Sequence, residues 1–354
     1  MSASVNRKEC LGNCRAAGEG ARTLSLADMR GRVVRYLRLS ITDRCNLRCL
    51  YCSSNARHSF IPHENVLRYE EMLRMVGAMQ RLGVQKVRLT GGEPFARRGC
   101  GDFLVMLRRR FPALDLRITT NGTLLSQNLD ALREARVSAV NLSLDSFDRQ
   151  TFAHVTGKDM LPDVLGALDA LLAAGIRVKI NAVGLRTIND GQMADFVYAA
   201  RSLPVDVRFI EFMPMGGDTL WSDTYFWPAA DMLAAARDCT ALVPLAPEPG
   251  NAGPARMYAL PGGRGRLGFI TPMSNHFCNE CNRLRITSDG HLRTCLFADR
   301  EYRLRAIFRH PRLDDAALDR VVQAACRRKP LGVDILKARR GAAVATSSMW
   351  GIGG

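Results

Sequence analysis

Three cysteines crowd one short stretch, "TDRCNLRCLYC", where Cys45, Cys49 and Cys52 stand at spacing C-x3-C-x2-C. Thiolates hold both zinc and iron–sulfur clusters, and either centre usually takes four protein ligands. The next candidate, His58, lies beyond Ser53 and Ser54, so no fourth ligand is at hand. Three thiolates on a four-iron cluster leave one iron open to a small molecule. A structural zinc site would be closed, and its spacing usually starts from C-x2-C or C-x4-C.

A second trio, Cys278, Cys281 and Cys295 in "CNECNRLRITSDGHLRTC", has spacing C-x2-C-x13-C. His276 or His291 could close a Cys3His zinc site here, and spacing alone leaves that reading open. Arg283 and Arg285 share one face of an extended chain. Paired guanidiniums beside a metal centre suit phosphate or a purine edge, and a second three-thiolate cluster would again leave one iron open, this time for substrate. Eleven cysteines without an export signal argue for metal or redox chemistry over a disulfide framework. The five outside the trios (Cys10, Cys14, Cys100, Cys239, Cys326) are scattered and read as incidental. "TGGEP" (Thr90 to Pro94) would end a strand and let backbone approach a ligand closely. "GIGG" (Gly351 to Gly354) reads by composition as a frayed tail.

The elements that must position these groups alternate along the chain. Strands are expected at Val34–Ile41, Lys86–Thr90, Leu116–Thr120, Val140–Leu144, Val178–Val183 and Val207–Phe212. Amphipathic helices are expected at Glu70–Leu82, Asp102–Arg110, Leu129–Ala135, Val164–Ala174 and Gln192–Arg201, with Gly83 and Gly175 at helix ends. Strand–helix alternation repeated six times means parallel strands with crossover helices. Residues two apart on a strand share a face, and one face is polar in strand after strand: Arg38, Ser40, Thr42; Lys86, Arg88, Thr90; Arg117, Thr119; Asn141, Ser143, Asp145; Lys179, Asn181. Closed eight-stranded barrels fill their interior with branched apolar side chains. Strands lined with cations and hydroxyls point instead to an incomplete six-unit β/α barrel, TIM-like, holding a large polar ligand. Residues 244–266, rich in Pro and Gly, read as a linker or irregular loop before a smaller C-terminal unit.

The whole chain has 354 residues, 47% of them apolar, and a formal net charge of +16. That length exceeds what one core usually organises. The expected division is an N-terminal extension over 1–24, a partial barrel over 25–235 and a C-terminal cluster-bearing domain over 236–354. No apolar run approaches the roughly 18 residues of a membrane span, and no secretory signal is visible, so a cytoplasmic protein without a membrane partner is expected. The runs "RRR" (108–110), "RRK" (327–329) and "KARR" (337–340) invite a nucleic-acid reading. They fall on expected helices without interleaved aromatics, so they read as solvated faces, and a small polyanionic substrate accounts for part of the charge.

"RCNLRCLYC" resembles the CxxxCxxC signature of radical S-adenosylmethionine enzymes, and "TGGEP" resembles their GGE motif. The second trio, the "CNRLR" within it and the Gly–Gly terminus together resemble the GTP 3′,8-cyclase family of molybdenum-cofactor biosynthesis, from about residue 28 to the end. Leu47 and Ser53–Ser54 depart from residues common in that family, and no ligand is lost.

The resemblance implies an incomplete radical S-adenosylmethionine barrel closed by an iron–sulfur domain, and two 4Fe–4S clusters. The first would be held by Cys45, Cys49 and Cys52 with S-adenosylmethionine on its open iron, the second by Cys278, Cys281 and Cys295 with its open iron towards guanine. Contacts to S-adenosylmethionine would fall on Tyr51, Gly92, Ser143 and Met213, and those to GTP on Arg38, Arg88, Thr119, Lys179, Arg283, Leu284 and Arg285. Gly353 and Gly354 would join Arg283 and Arg285 in the active site. The implied reaction converts GTP to (8S)-3′,8-cyclo-7,8-dihydroguanosine 5′-triphosphate, through a 5′-deoxyadenosyl radical that takes the ribose 3′ hydrogen. The implied partners are a flavodoxin-like or ferredoxin-like electron donor and a cyclic pyranopterin monophosphate synthase that receives the product, and a homodimer is compatible. The rival readings are a peptide-modifying radical enzyme with a relay cluster and, from another class, a basic zinc protein that binds nucleic acid.

Overall fold

Period-two patterning organises this protein around one long sheet, seen in a computed structural model that describes residues 25–52, 60–216, 221–246, 253–339, 345 and 349–353. The extension over 1–24, with Cys10 and Cys14, lies outside the described residues, as do His58 and Gly354. Six strands follow the expected rhythm: β1 (Tyr36–Ser40), β2 (Lys86–Thr90), β3 (Asp115–Thr120), β4 (Ala139–Ser143), β5 (Val178–Gly184) and β6 (Val205–Glu211). They pair in parallel, each with the next. The crossovers are α1 (Tyr69–Arg81), α2 (Cys100–Arg110), α3 (Leu129–Glu134), α4 (Arg149–Thr156), α5 (Leu161–Ala173) and α6 (Met193–Ser202). Gly83 and Gly175, with φ of 96° and 67°, close α1 and α5 in the left-handed conformation that glycine tolerates. The sequence reading passed over α4, a short helix that starts where the Asp148 carboxylate accepts from Thr151 N–H at 2.8 Å.

Alternate residues divide as the parity demands. Leu37, Leu39, Val87, Leu89, Ile118, Leu142 and Ile180 are buried in the main apolar core with the helices. The opposite face carries Arg38, Arg88, Thr119, Ser143 and Lys179 into the interior cavity.

Beyond β6 the chain does not build a sheet of its own. Helix α7 (Ala229–Cys239) spans the boundary expected at 235/236. Then follow β7 (Val243–Pro244), β8 (Ala255–Ala259), β9 (Arg266–Ile270), β10 (Arg283–Ile286), β11 (His291–Arg293) and β12 (Tyr302–Arg303). The sheet order is β12-β11-β10-β1-β2-β3-β4-β5-β6-β9-β8-β7. Strand β9 adds in parallel to β6, and β10 adds in parallel to β1 at the other margin. The expected linker over 244–266 therefore contains β8, which pairs antiparallel with β9. Residues 271–282 cross from one margin to the other. Helices α8 (Leu304–Phe308), α9 (Asp315–Arg327), α10 (Gly332–Ala338) and α11 (Met349–Ile352) follow.

Candidate active site

The first trio sits in the turn that follows β1, and the end of β2 is pressed against it. Gly92 N–H donates to Thr42 O at 2.9 Å, and Glu93 N–H donates to Arg44 O at 2.8 Å. A Cβ on Gly92 would be driven into Arg44 O and lie 2.9 Å from Cys45 N. Gly91 is also tightly placed, since a Cβ there would lie 2.6 Å from Thr42 O. The two glycines are thus required by the cysteine loop itself. Glu93 is fully buried and points away from the cavity. Its carboxylate accepts from Phe95 N–H at 3.0 Å, the Thr120 hydroxyl at 2.8 Å and Asn121 N–H at 2.7 Å. Burial pushes its carboxyl up to about 7, against those hydrogen bonds.

Tyr51 is fixed by its hydroxyl, which donates to Asp145 Oδ2 at 2.7 Å, and Asp145 Oδ1 accepts from Val183 N–H at 2.8 Å. Burial raises the thiols of this trio, Cys52 to about 12 and Cys49 well above its ordinary value, and the Asp145 carboxylate adds to both shifts. Ser143 and Met213 line the same cavity at the ends of β4 and β6.

Below the cysteines lies a cavity of about 720 Å³ lined by Arg38, Arg88, Thr119, Lys179, Arg283 and Arg285 among others. Leu284 does not line it: as the alternate residue of β10, its side chain is buried in the apolar core. Register explains the clustering of charge, because Arg38 sits beside Arg88 on one side and Arg285 on the other. Among the described residues around the cavity nine cations face four carboxylates, so this lining is short of negative charge. Burial, reinforced by Arg38 and Arg283, disfavours the charge on Arg285, yet a guanidinium does not give up its proton. Several buried polar atoms of the lining, Thr90 Oγ1, Thr119 Oγ1, Asn141 Oδ1 and Arg208 Nε, find no hydrogen-bond partner among the described residues. Each costs about 1–3 kcal/mol unless something else meets it. The interior is built for a polar anion.

Sequence reasoning assigned no role to three residues of this site. Tyr36 accepts from Arg88 Nε at 2.6 Å, and Arg88, Arg38 and Arg283 outweigh burial to hold its phenol at about 7. Arg208 reaches Asn181 Oδ1 at 2.6 Å. Asp206 ties Lys179 at 3.2 Å, Arg177 at 3.2 Å and Arg266 at 2.7 Å. All three obey the parity rule on β1 and β6, so the signal was present.

The second trio lines an adjoining cavity of about 70 Å³ with His276, Phe277, Arg283 and Lys329. Burial raises the Cys295 thiol as it does the first trio, and Cys281 goes the other way. Burial is outweighed by the Arg283 guanidinium and the Lys329 ammonium, which hold the Cys281 thiol at about 6. A Cβ on Gly332 would lie 3.2 Å from Cys295 Sγ and 3.5 Å from Cys278 Sγ, so the glycine keeps the space between those sulfurs clear. Zinc needs its donors to converge on one point, at about 2.3 Å for a thiolate. Among the described residues no three Cys, His, Asp or Glu side chains do so. His291 is engaged elsewhere, 2.8 Å from Asp289.

The described end of the chain threads into the main cavity. Gly353, with φ of 73°, lies so close to β1 and β2 that a Cβ would strike Thr90 Oγ1 and sit 3.0 Å from Ser40 Cβ. Its carbonyl accepts from Arg285 Nη1 at 2.7 Å. Of the tail expected from composition to fray, Ile352 and Gly353 are buried.

Comparison with known proteins agrees with this architecture. Residues 39–198 match the Radical SAM superfamily and residues 205–335 match Molybdenum Cofactor Synthesis C. The chain is 42% identical to the GTP 3′,8-cyclase of Syntrophomonas wolfei, over 82% of this chain and 89% of that one. It is 38% identical to the GTP 3′,8-cyclase of Alkaliphilus oremlandii, over 88% and 95%. Molybdenum cofactor biosynthesis protein 1 of Drosophila melanogaster is 38% identical over 86% of this chain and 54% of the fly protein. Among solved structures, Streptococcus suis SuiB superposes with a TM-score of 0.59 at 14% identity, covering 90% of this chain and 78% of SuiB, a likeness of fold alone. No described helix is long and apolar enough to cross a membrane.

Proposed function

This chain belongs to the GTP 3′,8-cyclase family, and we propose from that premise that its two cysteine trios face one nucleotide held between them. It is a radical S-adenosylmethionine lyase acting in the first step of molybdenum-cofactor biosynthesis, and the peptide-modifying alternative is not favoured. Cys45, Cys49 and Cys52 would hold the superfamily's 4Fe–4S cluster, and Cys278, Cys281 and Cys295 a second. When bound, the first cluster and S-adenosylmethionine supply the radical that removes the ribose 3′ hydrogen of GTP, and the sugar carbon then joins C8 of guanine.

The protein's own part is to bind, orient and exclude water. Tyr51, braced by Asp145, bounds the S-adenosylmethionine side with Ser143, Met213 and the backbone of Gly92. Arg38, Arg88 and Lys179, with Thr119 between them, take the triphosphate. Arg283 and Arg285 stand at the guanine side, and the tail carbonyl of Gly353 fixes Arg285 in place, with Gly354 beyond it as a further participant. The observation that carries this reading is the excess of cations in a cavity bounded by the first trio at one end and Arg283 and Arg285 at the other.

The test is anaerobic incubation of reconstituted protein with S-adenosylmethionine, a reductant and GTP. The expected result is 5′-deoxyadenosine that accumulates only when GTP is present. Accumulation indifferent to GTP, or none at all, sinks the cyclase reading.

A further inference from the structure

Lys329 ends the "RRK" run that patterning assigns to a solvated face, yet only 4% of it is exposed. It follows α9 and turns inward between the two segments that carry the second trio. Its ammonium donates to Arg283 O at 2.7 Å and to Thr294 O, and it hydrogen-bonds Cys281. Arg283 lies two residues after Cys281, and Thr294 immediately precedes Cys295. One side chain therefore ties both cysteine-bearing segments together.

The missing partner is more telling than the ones present. Two neighbouring buried cations have a carboxylate, Arg32 with Asp28 at 2.6 Å and Arg293 with Glu301 at 2.6 Å, whereas Arg285 bonds the Gly353 carbonyl. No described carboxylate forms an ion pair with Lys329, and the cavity it lines contains Arg32, Arg283 and Arg285 but neither Asp nor Glu. An ammonium taken out of water costs several kcal/mol unless an opposite charge meets it. The groups in that cavity able to become anionic are the three thiols. A thiolate trio on a four-iron cluster would carry net negative charge, and buried cations and hydrogen bonds to sulfur are what set the potential of such a centre.

We infer that Lys329 is the counter-cation of the Cys278–Cys281–Cys295 centre and the positioning residue that holds its two segments in register. This rests on the reading that the second trio holds a cluster.

The test uses the full chain with Cys45, Cys49 and Cys52 replaced by Ala, so that the C-terminal trio alone can take iron on anaerobic reconstitution. If this background takes up no iron, the cluster reading itself fails, before Lys329 is touched. If it does, Lys329→Gln keeps a donor for the carbonyls and removes the charge, whereas Lys329→Arg keeps the charge. Lys329→Gln is expected to move the cluster's midpoint, followed by electron paramagnetic resonance during a redox titration, to more negative potential, or to lose most of its iron. Lys329→Arg is expected to retain the iron and a midpoint near the background. An unchanged midpoint and iron content in Lys329→Gln overturns the inference, and so does Lys329→Arg behaving like Lys329→Gln.

Discussion

Arg285, on the strand that follows the second cysteine pair, donates through Nη1 to the carbonyl of Gly353 at 2.7 Å. The contact joins residues 68 apart and fixes the end of the chain inside the barrel. Substituting Gly353→Ala should break it, because a left-handed φ costs a β-carbon about 1–2 kcal/mol and the new methyl would strike Thr90. Ile352, beside Gly353, is buried in the apolar cluster of Phe297 and Leu336, so a tail that withdraws also lowers stability. The expected outcome is at least a tenfold loss of GTP-dependent 5′-deoxyadenosine formation, with a lowered melting temperature and unchanged iron content.

Arg88→Ala addresses the anion. The guanidinium bonds Tyr36 and the Ile118 carbonyl, and it touches neither cysteine trio. Nucleotide affinity, read by equilibrium dialysis, should fall at least tenfold, with a stability cost of about 1–3 kcal/mol from the stranded partners. Iron per chain should be that of the parent. Lost iron would remove Arg88 from the substrate assignment.

Gly92→Ala should act on the metal instead. Its methyl would be forced into Arg44 O, one residue before Cys45. Iron should drop to one cluster's worth on reconstitution, with the C-terminal trio still loaded. A full complement would show that the cysteine loop yields to the methyl group.

The patterning of the sequence reveals the polar interior and stops at particular residues. Arg38, Arg88, Thr119, Ser143 and Lys179 follow from a period of two, since each strand alternates over a buried core. The same rule contains Tyr36, Asp206 and Arg208, but a search for unpaired charge passes over a phenol, and strand six was expected to begin after Asp206. The pairings of β9 and β10 escape because each strand is short and its partner lies far away in sequence, Leu37 facing Leu284. No local pattern announces such a pairing. Lys329 escapes for the same reason: its run looks like a helix surface, and only its contacts with the distant Arg283 and Thr294 carbonyls show that it turns inward.

Glu93 gives a pH dependence. Its carboxyl is raised from 4.5 to about 7 by burial, so the folded state binds its proton more tightly than the unfolded chain. Between those values the folded protein holds the extra proton, and stability declines as pH rises, by at most about 3 kcal/mol. Glu93→Gln should flatten that decline in urea midpoints measured from pH 5 to pH 8, at the cost of one of the three hydrogen bonds. A parallel decline in the variant would assign the effect to other groups.

The two ends of the parallel run, β9 and β10, share no ladder, and residues 271–282 pass directly from one to the other. Cys278 and Cys281 ride on that crossing, and Cys295 follows on the segment just after the hairpin that extends the far margin. The barrel's seam is therefore fastened with a clasp where a further strand would have stitched it. Stitches give way one at a time, whereas a clasp is open or shut. A centre that joined those three sulfurs would brace the seam at the place where a loop, not a strand, bridges it.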